Sequence, residues 1–310
     1  LRRGRGAVLA LTCAAILGAC SDTGPTAAAA PDGLIALVAG PSATSLRGWD
    51  GSSGGDGVPI TLPTGDTVWV AAGRADVLVA TLADGRTTTS DPVHLGKPLK
   101  WRVVKAVEPN GDAPPGPENF ATWDPEGGRF AALAGDLSTG DAIGVVLIDP
   151  SVGTAFEIPL DRSVLVAPPA WIDSDRLVVV TGNATAPTSL IVDTATSEST
   201  AGPSGARLLA TSADGRTIAT MATQGAPVFV RDTAAWLGND GSSIATIDPP
   251  ADSATAIAFA LDATGQRLAV AWASKSGVVT LAVHDARSGW RRVAQPAIGP
   301  ARGAVVTWLR

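Results

Sequence analysis

The side chains in this 310-residue chain that could move a proton at neutral pH are few. His94 lies in Asp91-Pro-Val-His-Leu-Gly96, and His284 stands before Asp285 at the end of an apolar run, where an outer strand would turn it to solvent. Neither has a second His or a Cys at the spacing that zinc requires. Asp173/Asp175 and Asp136/Asp141 are carboxylate pairs of the kind hydrolysis uses. Both pairs fall in turn-like segments, however, where aspartate commonly caps its own backbone. The five glutamates, Glu108, Glu118, Glu126, Glu157 and Glu198, form no pair. The Asp-x-Asp turn lacks the twelve-residue loop, glycine and terminal glutamate of a calcium hand, and no serine sits in a Gly-x-Ser-x-Gly context. These residues predict no catalytic side chain, no metal site and no cofactor.

The residue with the clearest chemical expectation is Cys20. Arg2, Arg3 and Arg5 precede an apolar stretch from Ala7 to Gly18, which ends in Leu17-Gly18-Ala19-Cys20. A positive segment followed by an apolar core of about a dozen residues reads as an export signal. It is too short for a membrane-spanning helix, which needs about 20 residues. With cysteine at the cleavage point the segment resembles a bacterial lipoprotein signal, and the resemblance implies that Cys20 is lipidated and becomes the first mature residue. The alternative is an ordinary secretory signal cut after Ala19. Residues 1–19 are thus expected to be a signal peptide, 20–30 a lipidated cysteine with a flexible tether, and 31–310 the folded domain. Cys13 falls in the removed segment, so no internal disulfide is expected and stability must come from burial.

Charge narrows the partners. The chain has 23 basic and 29 acidic residues, and loss of three signal arginines takes the mature part from −6 to about −9. An acidic body is a poor match for nucleic acid, whose binding depends on cations against phosphates. Anionic headgroups would repel it too, leaving the N-terminal lipid as the expected membrane attachment. No later segment reads as a transmembrane helix. With 35 Gly, 23 Pro and few helix-favouring residues, the composition points to strands joined by tight turns.

Four segments repeat one grammar of apolar strand, Asp/Gly turn, arginine and second apolar strand. They are 120–133, 169–180, 208–221 and 257–270, with Arg129, Arg176, Arg216 and Arg267 spaced by 47, 40 and 51. Each continues into a third apolar strand ending in aspartate (Asp149, Asp193, Asp232, Asp285), then a turn and a more polar fourth strand. Asp-Gly between apolar runs is the strongest short-range hairpin signal. Four strands every 40–50 residues is the period of propeller blades. Pro31–Val38 carries the same turn before a second strand. Thr64–Val70, with Val77–Ala80 and Ala83-Asp-Gly-Arg86, reads as strands two and three of another blade, and Gly303–Arg310 as a first strand whose blade lies at the other end of the chain. Pairing of the two terminal strands would close the ring. The expected fold is an all-β propeller of six four-stranded blades, though five or seven also fit the irregular first hundred residues.

The turn-Arg-strand element resembles the WD40-like repeats of bacterial beta-propellers of the TolB type, found also in surface lipoproteins. The resemblance runs over 31–310 and is clearest from 118 onward. It implies a fold more than a function, because propellers serve as scaffolds, receptors and enzymes. The separate N-terminal domain of TolB has no counterpart here, so a TolB role is not implied.

Nine tryptophans stand against no tyrosine. Trp123, Trp171 and Trp308 close first strands beside the turn and are expected to pack between blades, or else to ring the channel mouth. Trp49, Trp236 and Trp290 sit in turn-rich segments and are candidate partner-binding residues. So are Lys100, Trp101 and Arg102, in a strand that alternation would turn with Leu99, Trp101 and Val103 inward and Lys100 and Arg102 outward. The blander reading of that strand is an edge guarded by lysines. The following loop, 109–117, could add to a docking surface. The functional expectation is a lipid-anchored extracytoplasmic binding or assembly module for an envelope protein, a peptide or a glycan. The alternative is a propeller hydrolase or lactonase with its site in the central channel.

Overall fold

The computed structural model describes residues 31–310 apart from 52–54, 106–117, 137–140, 165–166, 184 and 251–254. Cys20, the tether and the 109–117 loop lie outside the described residues. The described chain forms six antiparallel blades of four strands each around a common axis. Blade II is Thr67–Ala72, Leu78–Leu82, Thr87–Ser90 and Trp101–Val103. Blade III is Glu118–Trp123, Phe130–Asp136, Asp141–Asp149 and Thr154–Val164; blade IV is Ala170–Trp171, Arg176–Asn183, Ala186–Asp193 and Ser199–Ala201. Blade V is Leu208–Thr211, Thr217–Met221, Val228–Asp232 and Ala245–Ile247; blade VI is Thr255–Leu261, Arg267–Ala273, Val279–Asp285 and Arg291–Ala294. A single pair, Val164 with Thr181, joins the ladders of blades III and IV.

Blade I closes the ring from both ends of the domain. Its innermost strand is Gly303–Trp308, and the other three are Leu34–Ala39, Thr44–Trp49 and Val58–Ile60. Gly303–Trp308 pairs with Leu34–Ala39 in unbroken register, from Leu34↔Trp308 to Ala39↔Gly303. Both edges that an open ring would expose are thereby paired.

Sequence explains why the second strands read as continuous apolar runs. Alternate side chains of a strand point to opposite faces, and every blade has a neighbour on each face. Leu34, Ala36 and Val38 pack toward blade VI, whereas Ile35 and Leu37 pack toward blade II. Likewise Ala131 and Leu133 meet blade IV while Phe130, Ala132 and Ala134 meet blade II. The described core falls into six apolar clusters, one between each adjacent pair of blades, including the closing pair of VI and I.

The first hairpins of blades III, V and VI share one turn. Gly127, Gly215 and Gly265 take φ of 72°, 69° and 66°, and each returns its N–H to the carbonyl three residues earlier. A Cβ at Gly215 would also collide with the Ile172 carbonyl of blade IV, so glycine is needed there for both conformation and close approach. In blade II the expected register is corrected. Thr67–Ala72 and Leu78–Leu82 are its first and second strands, not its second and third. The Asp84-Gly85 turn closes the second hairpin, with Leu82 N–H on the Arg86 carbonyl, and the first hairpin turns through Gly73–Val77 without an Asp-Gly.

Candidate functional site

The six inner strands surround a central cavity of about 100 Å³. A water needs roughly 10–15 Å³ of such space, so the cavity can admit several waters or a side chain. Its wall is apolar, hydroxylic and main-chain: alanines and valines of the inner strands, Thr122, Thr211, Ser212 and Thr307, and the rings of Trp69, Trp123, Trp171, Phe259 and Trp308. Among the lining residues Arg310 carries the charge, and none is Asp, Glu or His. Its Nη1 lies 3.5 Å from the Asp124 carbonyl, and its main-chain N–H donates to Asp76 Oδ1 at 3.0 Å. The protein around the guanidinium desolvates it and lowers its pKa, against the opposite pull of Asp124.

Threonines on the inner strands tie neighbouring blades. Thr122 Oγ1 donates to the Pro169 carbonyl at 3.2 Å and Thr211 Oγ1 to the Trp171 carbonyl at 2.6 Å; Ala72 N–H donates to Thr307 Oγ1 at 3.0 Å. Two of the three strand-closing tryptophans are fixed in one way. Trp171 Nε1 donates to the Thr122 carbonyl of blade III, and Trp308 Nε1 to the Ala260 carbonyl of blade VI, both at 3.0 Å. Over each indole lies the arginine of the preceding blade, Arg129 at 5.5 Å from the Trp171 ring and Arg267 at 4.5 Å from that of Trp308. Each arginine is held by the aspartate of its own turn, Asp124 or Asp262. Each also reaches across the junction, Arg129 to the Ser174 carbonyl and Thr194 Oγ1, Arg267 to the Asp32 carbonyl.

Trp123 holds the equivalent place in blade III and differs. It is buried, yet its Nε1 has no hydrogen-bond partner among the described residues. Among the described residues no arginine covers it; the backbone of Gly73 packs on the ring instead, so close that a Cβ there would stand 2.5 Å from Trp123 Cγ. The same junction holds Phe120 at φ 54°, edge-on to Trp69 at 5.2 Å, and two consecutive left-handed residues, Ala75 and Asp76. Trp69 Nε1 bonds the Ala121 carbonyl beside them. Non-glycine residues in this region are uncommon and mark backbone held by its surroundings.

The expected packing role of Trp123, Trp171 and Trp308 is therefore met, and all three also face the channel. Trp49 and Trp236 depart from the surface places expected of them. Trp49 is fully buried between blades I and VI, with Nε1 on the Gly55 carbonyl. Trp236 is buried on the short helix Thr233–Leu237, which Asp232 caps by accepting Ala235 N–H at 2.9 Å. Trp49 is thus closed off from a partner, while Trp236 borders a surface cleft beside Asn239 and Asp240. Trp290 is half-buried beside blade VI. Lys100, Trp101 and Arg102 lie at the outermost strand of blade II, with Arg102 paired to Asp91 at 2.8 Å and Trp101 Nε1 on the Thr61 carbonyl. Leu99 is buried and Trp101 half-buried, but Val103 is 49% exposed, so the inward set stops short of it. These candidates sit on different blades and do not converge.

His284 does not face open solvent as expected. It is half-buried, its Nδ1 donates to the Trp290 carbonyl at 3.1 Å, and burial lowers its pKa. His94 is exposed, with Nδ1 3.0 Å from the Pro92 carbonyl. Asp173 does what turn aspartates do: Oδ1 accepts the Asp175 and Arg176 N–H groups, and Oδ2 holds the Arg176 guanidinium. Asp136 and Asp141 pair in register across blade III. Among the described residues no group of three His, Cys, Asp or Glu could hold a metal, and no helix is long and apolar enough to cross a membrane.

No protein-family profile matches the chain, and no curated protein does. Solved structures do. TolB from Acinetobacter baumannii is 14% identical with a TM-score of 0.60, over 88% of this chain and 66% of that one. A putative TolB from Agrobacterium tumefaciens is 11% identical with a TM-score of 0.56, over 90% and 99%. A chain of a nidogen/laminin complex is 10% identical with a TM-score of 0.59, over 88% and 98%. At these identities the likeness is one of fold, a TolB-like six-bladed propeller, and this chain spans about two thirds of the A. baumannii protein.

Proposed function

We propose that the chain is a protein-binding module of the bacterial envelope, held to a membrane by lipid on Cys20 and engaging its partner at the channel face of the ring. The observation that carries this reading is the channel wall. Apolar and hydroxyl groups, main-chain carbonyls and one arginine suit contact with a peptide segment or loop. Acid–base hydrolysis needs a carboxylate or imidazole within hydrogen-bond reach of the bond to be cut, and the described lining offers none. The fold likeness adds support, since one similar propeller was solved within a nidogen/laminin complex and others are named TolB.

The test combines three measurements on the full chain. Cys20→Ala should move the protein from the membrane fraction to the soluble one. Crosslinked pull-down of the anchored protein should yield one specific envelope protein, while a panel of lactones and glycosides should not be turned over. Retention of the Cys20→Ala protein in the membrane would refute lipid anchoring. Turnover of a panel member without a specific crosslinked protein would replace the binding reading with the hydrolase one.

A further inference from the structure

A cleft of about 440 Å³, larger than the central cavity, opens at the outer part of the junction between blades V and VI. Small-molecule sites commonly occupy about 300–1,000 Å³. The cleft exists because the strand that would cover it is short. The outermost strand of blade V, Ala245–Ile247, has three residues, while the third strand of blade VI, Val279–Asp285, has seven. Alternation puts Thr280, Ala282 and His284 on one face of that longer strand. Ala282 joins the core between blades V and VI, and Thr280 and His284 flank it at the cleft.

Two ring nitrogens give the cleft its chemistry. The indoles of Trp49, Trp69, Trp101, Trp171 and Trp308 all donate to carbonyls. Trp272 lines the cleft, and its Nε1 has no hydrogen-bond partner among the described residues. Unlike Trp123 Nε1, it is not closed off, so this N–H is a donor that a ligand can reach. His284 supplies the complement. Its Nδ1–H is engaged by the Trp290 carbonyl, and burial lowers its pKa, so the ring is neutral at pH 7. The lone pair therefore sits on Nε2, which also lacks a partner among the described residues and is not closed off. Trp272 stands opposite Thr280, and His284 opposite Leu268. At about 3.4 Å per residue the two residues lie about 14 Å apart along the strands.

Charge and main chain narrow the ligand. Arg292, opposite His284 in the ladder, and Asp248 of blade V set one cation against one anion at the cleft, so neither sign of charge is favoured in a ligand. The third strand of blade VI is paired on both sides and offers no free edge. An extended peptide commonly binds by adding to such an edge. Recognition falls instead to side chains: the indole N–H, the imidazole lone pair, the Thr280 hydroxyl and the Gln295 amide, beside apolar Val278 and Pro250. Hydroxyl groups both donate and accept, so a polyhydroxylated molecule can satisfy the donor at one end and the acceptor at the other. Its C–H faces can rest on the apolar wall.

We propose that the cleft between blades V and VI binds a neutral saccharide of two or more rings, with Trp272 Nε1–H donating to it and His284 Nε2 accepting from it. The site lies apart from the central channel and does not depend on the channel reading. The test titrates full-length 15N-tryptophan protein with maltose, cellobiose, lactose and N,N′-diacetylchitobiose. The peptide acetyl-Gly-Ser-Gly-Ser-amide and succinate are the controls, and Trp272→Phe assigns the indole signal. The expected result is a saturable shift of the Trp272 Nε1–H resonance with at least one disaccharide and none with succinate. His284→Ala should weaken that binding about five-fold. Thr280→Trp, at an exposed position, should fill the cleft and abolish binding with an unchanged thermal midpoint. No saturable Trp272 shift with any of the four sugars would overturn the proposal on the wild-type protein alone. So would saturation by succinate, or by the peptide at equal or lower concentration, the latter placing a polypeptide there instead. Undiminished affinity in His284→Ala or in Thr280→Trp would overturn it as well.

Discussion

Two junctions of the ring are built on the same tryptophan and end differently. Between blades VI and I, Trp308 donates to the Ala260 carbonyl under the guanidinium of Arg267, which is tied to Asp262 and to the Asp32 carbonyl. Between blades II and III, Trp123 carries an unpaired Nε1 under the backbone of Gly73, next to Phe120, Ala75 and Asp76 in left-handed conformations. The first junction closes the ring, and its indole N–H and the Nε and Nη1 of its arginine all find acceptors. The second retains a free donor and strained backbone at the channel. A repeat motif thus sets where a tryptophan goes, while the neighbouring blade decides whether it is locked.

The largest effect that separates the junctions should come from Trp308→Ala. Removing this buried indole opens the closing seam and should cost about 3–5 kcal/mol, read as a lower urea midpoint. Gly73→Ala should come next, because its Cβ meets the Trp123 ring; overpacking of that kind costs about 1–3 kcal/mol. A neutral outcome would mean that the II–III junction is looser than the VI–I junction. Arg267→Ala should cost about 1–2 kcal/mol from the lost ion pair, carbonyl bond and ring contact, already reduced for its partial exposure. Arg216→Ala should fall within about 0.5 kcal/mol, since Arg216 is exposed and its side chain makes no hydrogen bond or ion pair among the described residues. The finest comparison pairs Trp171→Phe with Trp123→Phe. Both lose the same volume, but only the first breaks an indole hydrogen bond, so it should be more destabilising by about 1 kcal/mol.

Much of the ring was legible from the four Arg turns, because Asp-Gly hairpins are local and the apolar runs around Arg129, Arg176, Arg216 and Arg267 repeat them. Blade II was misregistered because its Asp84-Gly85 turn sits in the second hairpin while its first turn, Gly73–Val77, lacks that signature. Trp49 and Trp236 looked like surface residues because turn-rich sequence surrounds them. In fact the Gly55–Gly57 turn folds over Trp49, and a one-turn helix tucks Trp236 between blades IV and V. The arginine–tryptophan clamp has a signal of its own in the sequence. Arg129 and Arg267 precede their tryptophans by 42 and 41 residues, whereas Arg176 and Arg216 have Thr211 and Leu261 at the matching strand ends. The free donor of Trp123 could not be read at all, since it depends on what a neighbouring blade fails to supply.

The account rests most on the channel face as the place of contact. A photocrosslinking amino acid placed at Ala213, which lines the central cavity, and at Thr200, exposed on the outermost strand of blade IV, tests it in membrane-anchored protein. The account predicts one discrete adduct from position 213, lost when Trp123 is also changed to Ala, and none from position 200. An adduct from position 200 with none from 213 would contradict it.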